Sequence, residues 1–191
     1  MQGPGDEGEG RRTPMGRTTI AVRSAETGDA EAMAEVFRAA GAAGWSHFLP
    51  EEELRSEPLR TAVFAAGISA PETRVLVAEE APGAGGGAGG IAGFTLWRPP
   101  MGPAASADEA ELHLFYVHPD HWGDGTARLL MDEAVRSMRA QGRRRAHLWT
   151  AEPNHRPRAF YAREGWTPDG GRRSKTRNGV TFTELRYGKE L

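Results

Sequence analysis

The chain reads as a single α/β domain of the α+β kind, and three observations point there. Apolar residues switch repeatedly between the two-residue alternation of strands and the three-to-four-residue spacing of helices. The apolar runs at 74–80 and 91–97 follow one another with only a Gly/Ala tract between them, the pattern of an antiparallel pair. A length of 191 residues suits one core, and neither an internal repeat nor a second linker interrupts residues 19–191.

Residues 1–18 are rich in Gly, Pro, Arg and Glu and hold no apolar side chain except methionine, so a disordered leader is expected. Ile20 and Val22 then alternate with polar neighbours as a short strand. Asp29 is placed to cap a helix in which Met33, Val36, Phe37 and Ala40 share a face, with Gly41 and Gly44 at its end. A second helix follows Pro50, where Glu51, Glu52 and Glu53 suit the positive end of the helix dipole and Leu54, Leu59, Val63 and Phe64 supply contacts. Pro58 breaks or kinks it.

Strands are expected at 74–80 and 91–97, joined by the Gly/Ala loop at 82–90, and a further strand at 111–118 ends at Pro119. Residues 125–141 place Leu129, Leu130, Ala134, Val135 and Met138 on one helical face, and Gly142 stops that helix. A strand at 145–150, a helix at 158–163 closed by Gly165 and a terminal alternating strand at 180–187 complete the domain. The order is strand, two helices, three strands, helix, strand, helix and a closing strand or pair.

Composition excludes several chemistries. The 24 Lys+Arg against 26 Asp+Glu give a formal charge of −2, without the basic excess of a dedicated nucleic-acid binder. The clusters 143–145 and 172–177 therefore read as solvated faces, with a phosphate contact as the alternative for one of them. With no cysteine there is no disulfide, thiol nucleophile or thiolate-bound metal. No apolar stretch approaches the ~20 residues of a bilayer span, so a soluble, cytoplasmic protein without a membrane partner is expected. His118, Asp120 and His121 sit around a turn, where two close histidines without a clear third ligand read as polar surface, and no metal is expected.

The informative segment runs from Val117 to Ala127, a strand exit followed by a glycine-bearing turn that opens a helix. First-turn amides lack internal partners and sit at the positive end of the dipole, while glycines let the backbone approach a phosphate. An ordinary tight turn is the plain alternative. Gly123-Asp124-Gly125 begins like a dinucleotide fingerprint, but Arg128 stands in the third glycine's place. Gly170 to Thr176 ends like a phosphate loop, yet Ser174 replaces the glycine needed before the lysine. Gly44-x-Ser46 begins like a nucleophile elbow, and Phe48 fills its second glycine position.

Val117-x-Pro119-x-x-Trp122-Gly123-x-Gly125-x-Ala127-x-x-Leu130 resembles the acyl-CoA signature of the GNAT N-acetyltransferase superfamily. A second stretch, Leu148 to Asn154, then Ala159-Phe160-Tyr161 and Gly165-Trp166, is similar to the later strand-helix segment of that family. The resemblance covers roughly 19–187 and implies a central mixed, mostly antiparallel sheet flanked by helices. It implies acetyl-CoA as co-substrate, with the diphosphate held by Trp122, Gly123, Asp124, Gly125, Thr126, Ala127 and Arg128. One departure is Trp122, which stands where the family pattern usually places Gln or Arg; backbone amides then carry the contact.

The family's splayed fourth strand implicates Phe115, Tyr116 and Val117 in pairing with the pantetheine arm. Glu111 stands where many members have a base, and His113 is a rival because imidazole ordinarily titrates near neutrality. Tyr161 matches the tyrosine that protonates the leaving sulfur, and Asn154 a cofactor hydrogen-bond partner that as a helix cap would look the same. Trp45 and Phe48 fall where one wall of the acceptor site is built, and Trp97 on the other, with inter-helix packing as the competing reading.

A lysine-like amine, with a pKa near ~10.4, must lose a proton before it attacks. The function implied is transfer of acetyl to a primary amine of a small molecule by direct attack. A non-catalytic acyl-CoA-binding module and a protein lysine or N-terminal acetyltransferase are the alternatives, and a homodimer is left open.

Overall fold

A computed structural model describes residues 19–56, 59–81, 89–102 and 106–191. The expected leader at 1–18, most of the Gly/Ala tract and the Pro58 break lie outside the described residues. The strands are β1 (Ile20–Ser24), β2 (Arg74–Glu80), β3 (Ile91–Arg98), β4 (Glu109–Val117), β5 (Arg145–Ala151), β6 (Thr167–Arg177) and β7 (Val180–Glu190). The helices are α1 (Ala30–Trp45), α2 (Glu51–Ser56), α3 (Thr61–Ser69), α4 (Thr126–Ala140) and α5 (His155–Arg163). Among the described residues these strands form one sheet in the order β1-β2-β3-β4-β5-β7-β6, antiparallel except for the parallel β4–β5 pair. This is the mixed, mostly antiparallel sheet flanked by helices that was expected.

Both sheet faces are covered, which is why β2 and β3 read as continuous apolar runs. On one face Leu76, Ala78, Trp97, Ala110, Leu112 and Leu148 pack against Leu130, Met131, Ala134 and Met138 of α4. On the other, Val75, Val77 and Phe94 meet Met33, Val36 and Phe37 of α1 and Phe64 of α3. Gly93 of β3 is a forced choice: a Cβ there would stand 2.9 Å from Tyr116 O on β4.

Local departures from expectation have identifiable causes. Helix α1 runs through Gly41 and Gly44 to Trp45, because the Trp45 indole folds back onto Gly41, where an added Cβ would meet the ring at 3.4 Å. Asp29 precedes α1 but does not cap it; its carboxylate accepts from Arg23 at 2.7 and 3.0 Å and from the Glu26 N–H at 2.8 Å. The helical stretch after Pro50 is two helices, α2 and α3. The basic run 172–177 belongs to β6, joined to β7 by Asn178 and Gly179, with φ of 49° and 71°. Positive φ at both central residues is the Asn-Gly hairpin turn whose twist suits antiparallel strands.

Candidate active site

Strands β4 and β5 pair only from Glu109↔Arg145 to Leu112↔Leu148. Beyond that point β4 continues on β3 and β5 continues on β7, so the two part and a cleft opens between them. Its volume is about 1210 Å³, larger than the 300–1,000 Å³ typical of a single small-ligand pocket and enough for two reactants.

The divergence leaves backbone groups of β4 without a strand partner. His118 N–H bonds Ala92 O of β3 at 2.8 Å, and alternation turns Tyr116 to β3 as well. Phe115 and Val117 therefore face the gap. Val117 O is taken by the Trp122 indole N–H at 2.8 Å, which leaves the Val117 N–H and both Phe115 groups to meet an extended ligand. Tyr116, expected to share that role, contributes its ring instead, stacked on Phe94 at 5.5 Å and edge-on to Phe37 at 4.9 Å.

The turn after β4 ends at the start of α4. Gly123 and Gly125 have φ of 95° and 103°, and nothing lies within 4 Å of where a Cβ would stand on either. Leu129 N–H, bonded to Gly125 O at 3.1 Å, is the first of α4 with an intrahelical acceptor, so the preceding amides face outward unpaired within the helix. One exception is Thr126, whose N–H is taken by Asp124 Oδ1 at 2.8 Å. Thr126 is buried, and neither it nor Asp124 lines the cleft, whereas Trp122, Gly123, Gly125, Ala127 and Arg128 do. His121 braces the turn through Asp124 at 2.9 Å and Glu80 at 3.4 Å. Open space, unpaired amides and a helix dipole fit a diphosphate. Among the described residues no three His, Asp or Glu side chains converge as a metal site.

At the head of the cleft stand Glu111 and His113. The β3–β4 register slips between Leu96↔Leu114 and Trp97↔Leu112, so His113 is the extra residue of a bulge. Its Nδ1 is 2.8 Å from Glu111 Oε1, and Arg98 is 3.5 Å from Glu111 Oε2. Burial alone would raise the Glu111 carboxyl. The His113 hydrogen bond and the charges of His113, Arg98 and His147 outweigh that and hold it below its ordinary value. Both residues line the cleft, and Glu111 is 8 % exposed, the His113 side chain 38 %.

Opposite β4, Tyr161 of α5 packs edge-on to Phe115 at 6.3 Å, and burial pushes its phenol well above the ordinary value. Asn154 is 6 % exposed at the N-cap of α5, lines the cleft, and makes no side-chain cap bond. Trp45 and Phe48 line the other end, where His47 Nε2 reaches Pro153 O at 2.9 Å and Phe48 meets Phe182 of β7 at 5.4 Å. Trp97 does not: it is 2 % exposed beneath α4, with its indole N–H directed at Ser137 Oγ at 3.3 Å. Strand alternation sends it to the α4 face, away from the cleft.

Cleft residues that sequence reasoning passed over are Arg156, Trp149 and Phe182, and the β6 cations Arg173, Lys175 and Arg177, read there chiefly as a solvated face, line the cleft as well. The Asn178-Gly179 dipeptide was the available signal, because a hairpin there makes the basic run a strand whose alternate residues share a face.

A parallel pair that opens at its C-terminal end beside a glycine turn and helix defines a class of fold with a crevice for an extended, phosphate-bearing ligand. The chain belongs to the acetyltransferase (GNAT) family, whose model matches residues 35–166. It is 36% identical over 52 residues to an uncharacterized N-acetyltransferase of Archaeoglobus fulgidus, a match spanning 27% of this chain and 35% of that relative's length. The fold is similar to that of the PaiA N-acetyltransferase from Thermoplasma acidophilum in complex with coenzyme A, with TM-score 0.67 and 20% identity over 91% of this chain and 99% of that one. It is also similar to YncA from Salmonella typhimurium with its cofactor acetyl-CoA, with TM-score 0.69 and 18% identity over 90% and 94% of the chains. Among the described residues no helix is long and apolar enough to cross a membrane.

Proposed function

We propose that the protein transfers the acetyl group of acetyl-CoA to a primary amine of a small molecule by direct attack. The observation that carries this reading is the parting of β4 from β5 after Leu112 and Leu148, with the Gly123–Gly125 turn beside the gap and Glu111–His113 at its head.

In this reading the unpaired amides of the turn and Arg128 receive the diphosphate, and Phe115 and Val117 pair with the pantetheine amides. The Phe115 N–H, nearer the Glu111–His113 head of the cleft, polarises the thioester oxygen. Acetyl-CoA supplies an acyl carbon already activated by its thiol leaving group. With Nδ1–H donated to Glu111, His113 presents Nε2 as the acceptor for the ammonium proton. Glu111, kept ionised, orients the ring and stabilises the imidazolium. The amine nitrogen then bonds the acyl carbon as the C–S bond breaks; Tyr161 donates its hydroxyl proton toward the departing sulfur, the second nitrogen proton leaves to restore the phenol through water, and the proton first taken by His113 passes to solvent. Tyr161 stays protonated across the neutral range because burial raises it.

The test is thiol release from acetyl-CoA with a panel of small primary amines and a panel of peptides. Turnover on small amines supports the reading. Turnover on peptides alone would replace it with protein acetylation, and cofactor binding without turnover on either panel would replace it with a binding module.

A further inference from the structure

The acceptor half of the cleft is cationic. Strand β6 presents Arg173, Lys175 and Arg177 on one face by the two-residue alternation, and all three line the cleft. Strand β7 offers this stripe a single carboxylate: Glu184, 8 % exposed, is 2.6 Å from Arg173 Nε and 3.5 Å from Lys175 Nζ. Two cations on one carboxylate leave a surplus positive charge.

Arg173 is held as well as charged. Its guanidinium carbon lies 4.2 Å from the centre of the Trp149 ring. Stacking uses the face of the guanidinium and Glu184 uses Nε. Among the described residues the two terminal nitrogens donate to no protein group, so an in-plane fork suited to a carboxylate remains. Further along, Arg177 stacks on Trp45 at 4.2 Å, and Arg177 and Arg60 approach the Phe37 ring at 5.3 and 5.8 Å. Cations already fixed on aromatic rings bind an anion at reduced entropic cost. The same wall repels an acceptor carrying several ammonium groups.

We infer that the acceptor amine also carries a carboxylate, as α- and ω-amino acids do, and that Arg173 and Lys175 hold this carboxylate while the amine meets His113. The inference rests on the acetyl-transfer reading and narrows its substrate class. The competing use of the stripe is the 3′-phosphate of CoA.

Calorimetry on the CoA-loaded protein compares L-phenylalanine with 2-phenylethylamine and 6-aminohexanoate with pentylamine, pairs that differ only by the carboxylate. The acid of at least one pair is expected to bind about tenfold tighter, the scale of a charge-assisted hydrogen bond. Arg173→Ala and, separately, Lys175→Ala are expected to cut that preference severalfold. Equal or tighter binding of both decarboxylated amines overturns the inference. A loss in the variants of affinity for CoA but not for dephospho-CoA also overturns it, assigning the stripe to the 3′-phosphate. Thiol release followed in the same mixtures separates the two readings: acid-selective binding with no release from any amine sinks acetyl transfer alone, and release with acid-indifferent binding sinks the carboxylate site alone.

Discussion

The Arg156 guanidinium lies 4.1 Å from the centre of the Trp122 ring, and Trp122 donates its indole N–H to Val117 O at 2.8 Å. Trp122 stands where the resembling signature places Gln or Arg, and in the proposed reading Arg156 brings a further cation to the turn from α5, resting on that indole. The cation–π contact fixes Arg156 at the cleft.

Arg156→Ala is expected to weaken acetyl-CoA binding about tenfold with kcat little changed, the scale of one charge-assisted hydrogen bond. Trp122→Ala is expected to cost more, since it removes the platform and frees the end of β4. Arg156→Lys should recover only part of the affinity, because an ammonium lacks the planar fork. Calorimetric titration of the three variants with CoA checks this, and unchanged affinity in Arg156→Ala would remove the residue from the phosphate site.

The Cβ of Gly125→Val has no protein atom within 4 Å, but the substitution places a branched residue at φ 103°. A strain of roughly 1–3 kcal/mol is expected to lower the thermal midpoint, and the side chain occupies the space a phosphate needs. Gly123 shares the open surroundings and a positive φ, so Gly123→Val should behave alike. Thermal melts with and without CoA test both effects; a variant stabilised by CoA as much as wild type would contradict the assigned turn.

Tyr161→Phe removes the donor to the sulfur and leaves the packing against Phe115 and Phe160. Because burial raises the phenol above a free thiol, complete proton transfer to the thiolate is uphill, and the loss in kcat should be modest, about tenfold. Acetyl-CoA affinity should stay near normal. An unaltered kcat, with chemistry shown to be rate-limiting by single-turnover kinetics, would end the role.

Glu111 and His113 separate by pH. The imidazole accepts a proton only when neutral, so kcat/KM should rise with pH along an acid limb that His113→Ala abolishes. Glu111→Gln should lower the rate while keeping a limb. Stability behaves differently: the Glu111 carboxyl is held below its ordinary value when folded, so its contribution is present above that value and lost as pH falls through the folded-state one. Chemical denaturation of wild type and Glu111→Gln should show a stability gap that is present at neutral pH and closes as pH falls below the ordinary carboxylate range. A gap that widens in acid would contradict the ion-pair account.

The amino-acid order by itself determined the strands from Ile20 to Val117, the turn at Gly123–Gly125, and the buried face of α4 except at Leu129, which is 49 % exposed. Each depends on local periodicity or on a backbone conformation only glycine adopts readily. It also brought forward Tyr161 and Asn154, which lie in the second of two short signatures, and Glu111, from its place near the start of the strand that leads into the first. The tertiary structure alone decided which way each β4 group faces: the bulge at His113 sets the phase, turning Phe115 and Val117 to the gap and Tyr116 to β3. It moved Trp97 into the core, and it put Arg156 on Trp122 and Arg173 on Trp149, pairs 34 and 24 residues apart in the chain. Periodicity reports that a side chain is buried or exposed. Which distant residue it meets is set by sheet order and register, and those are fixed only when the strands pair.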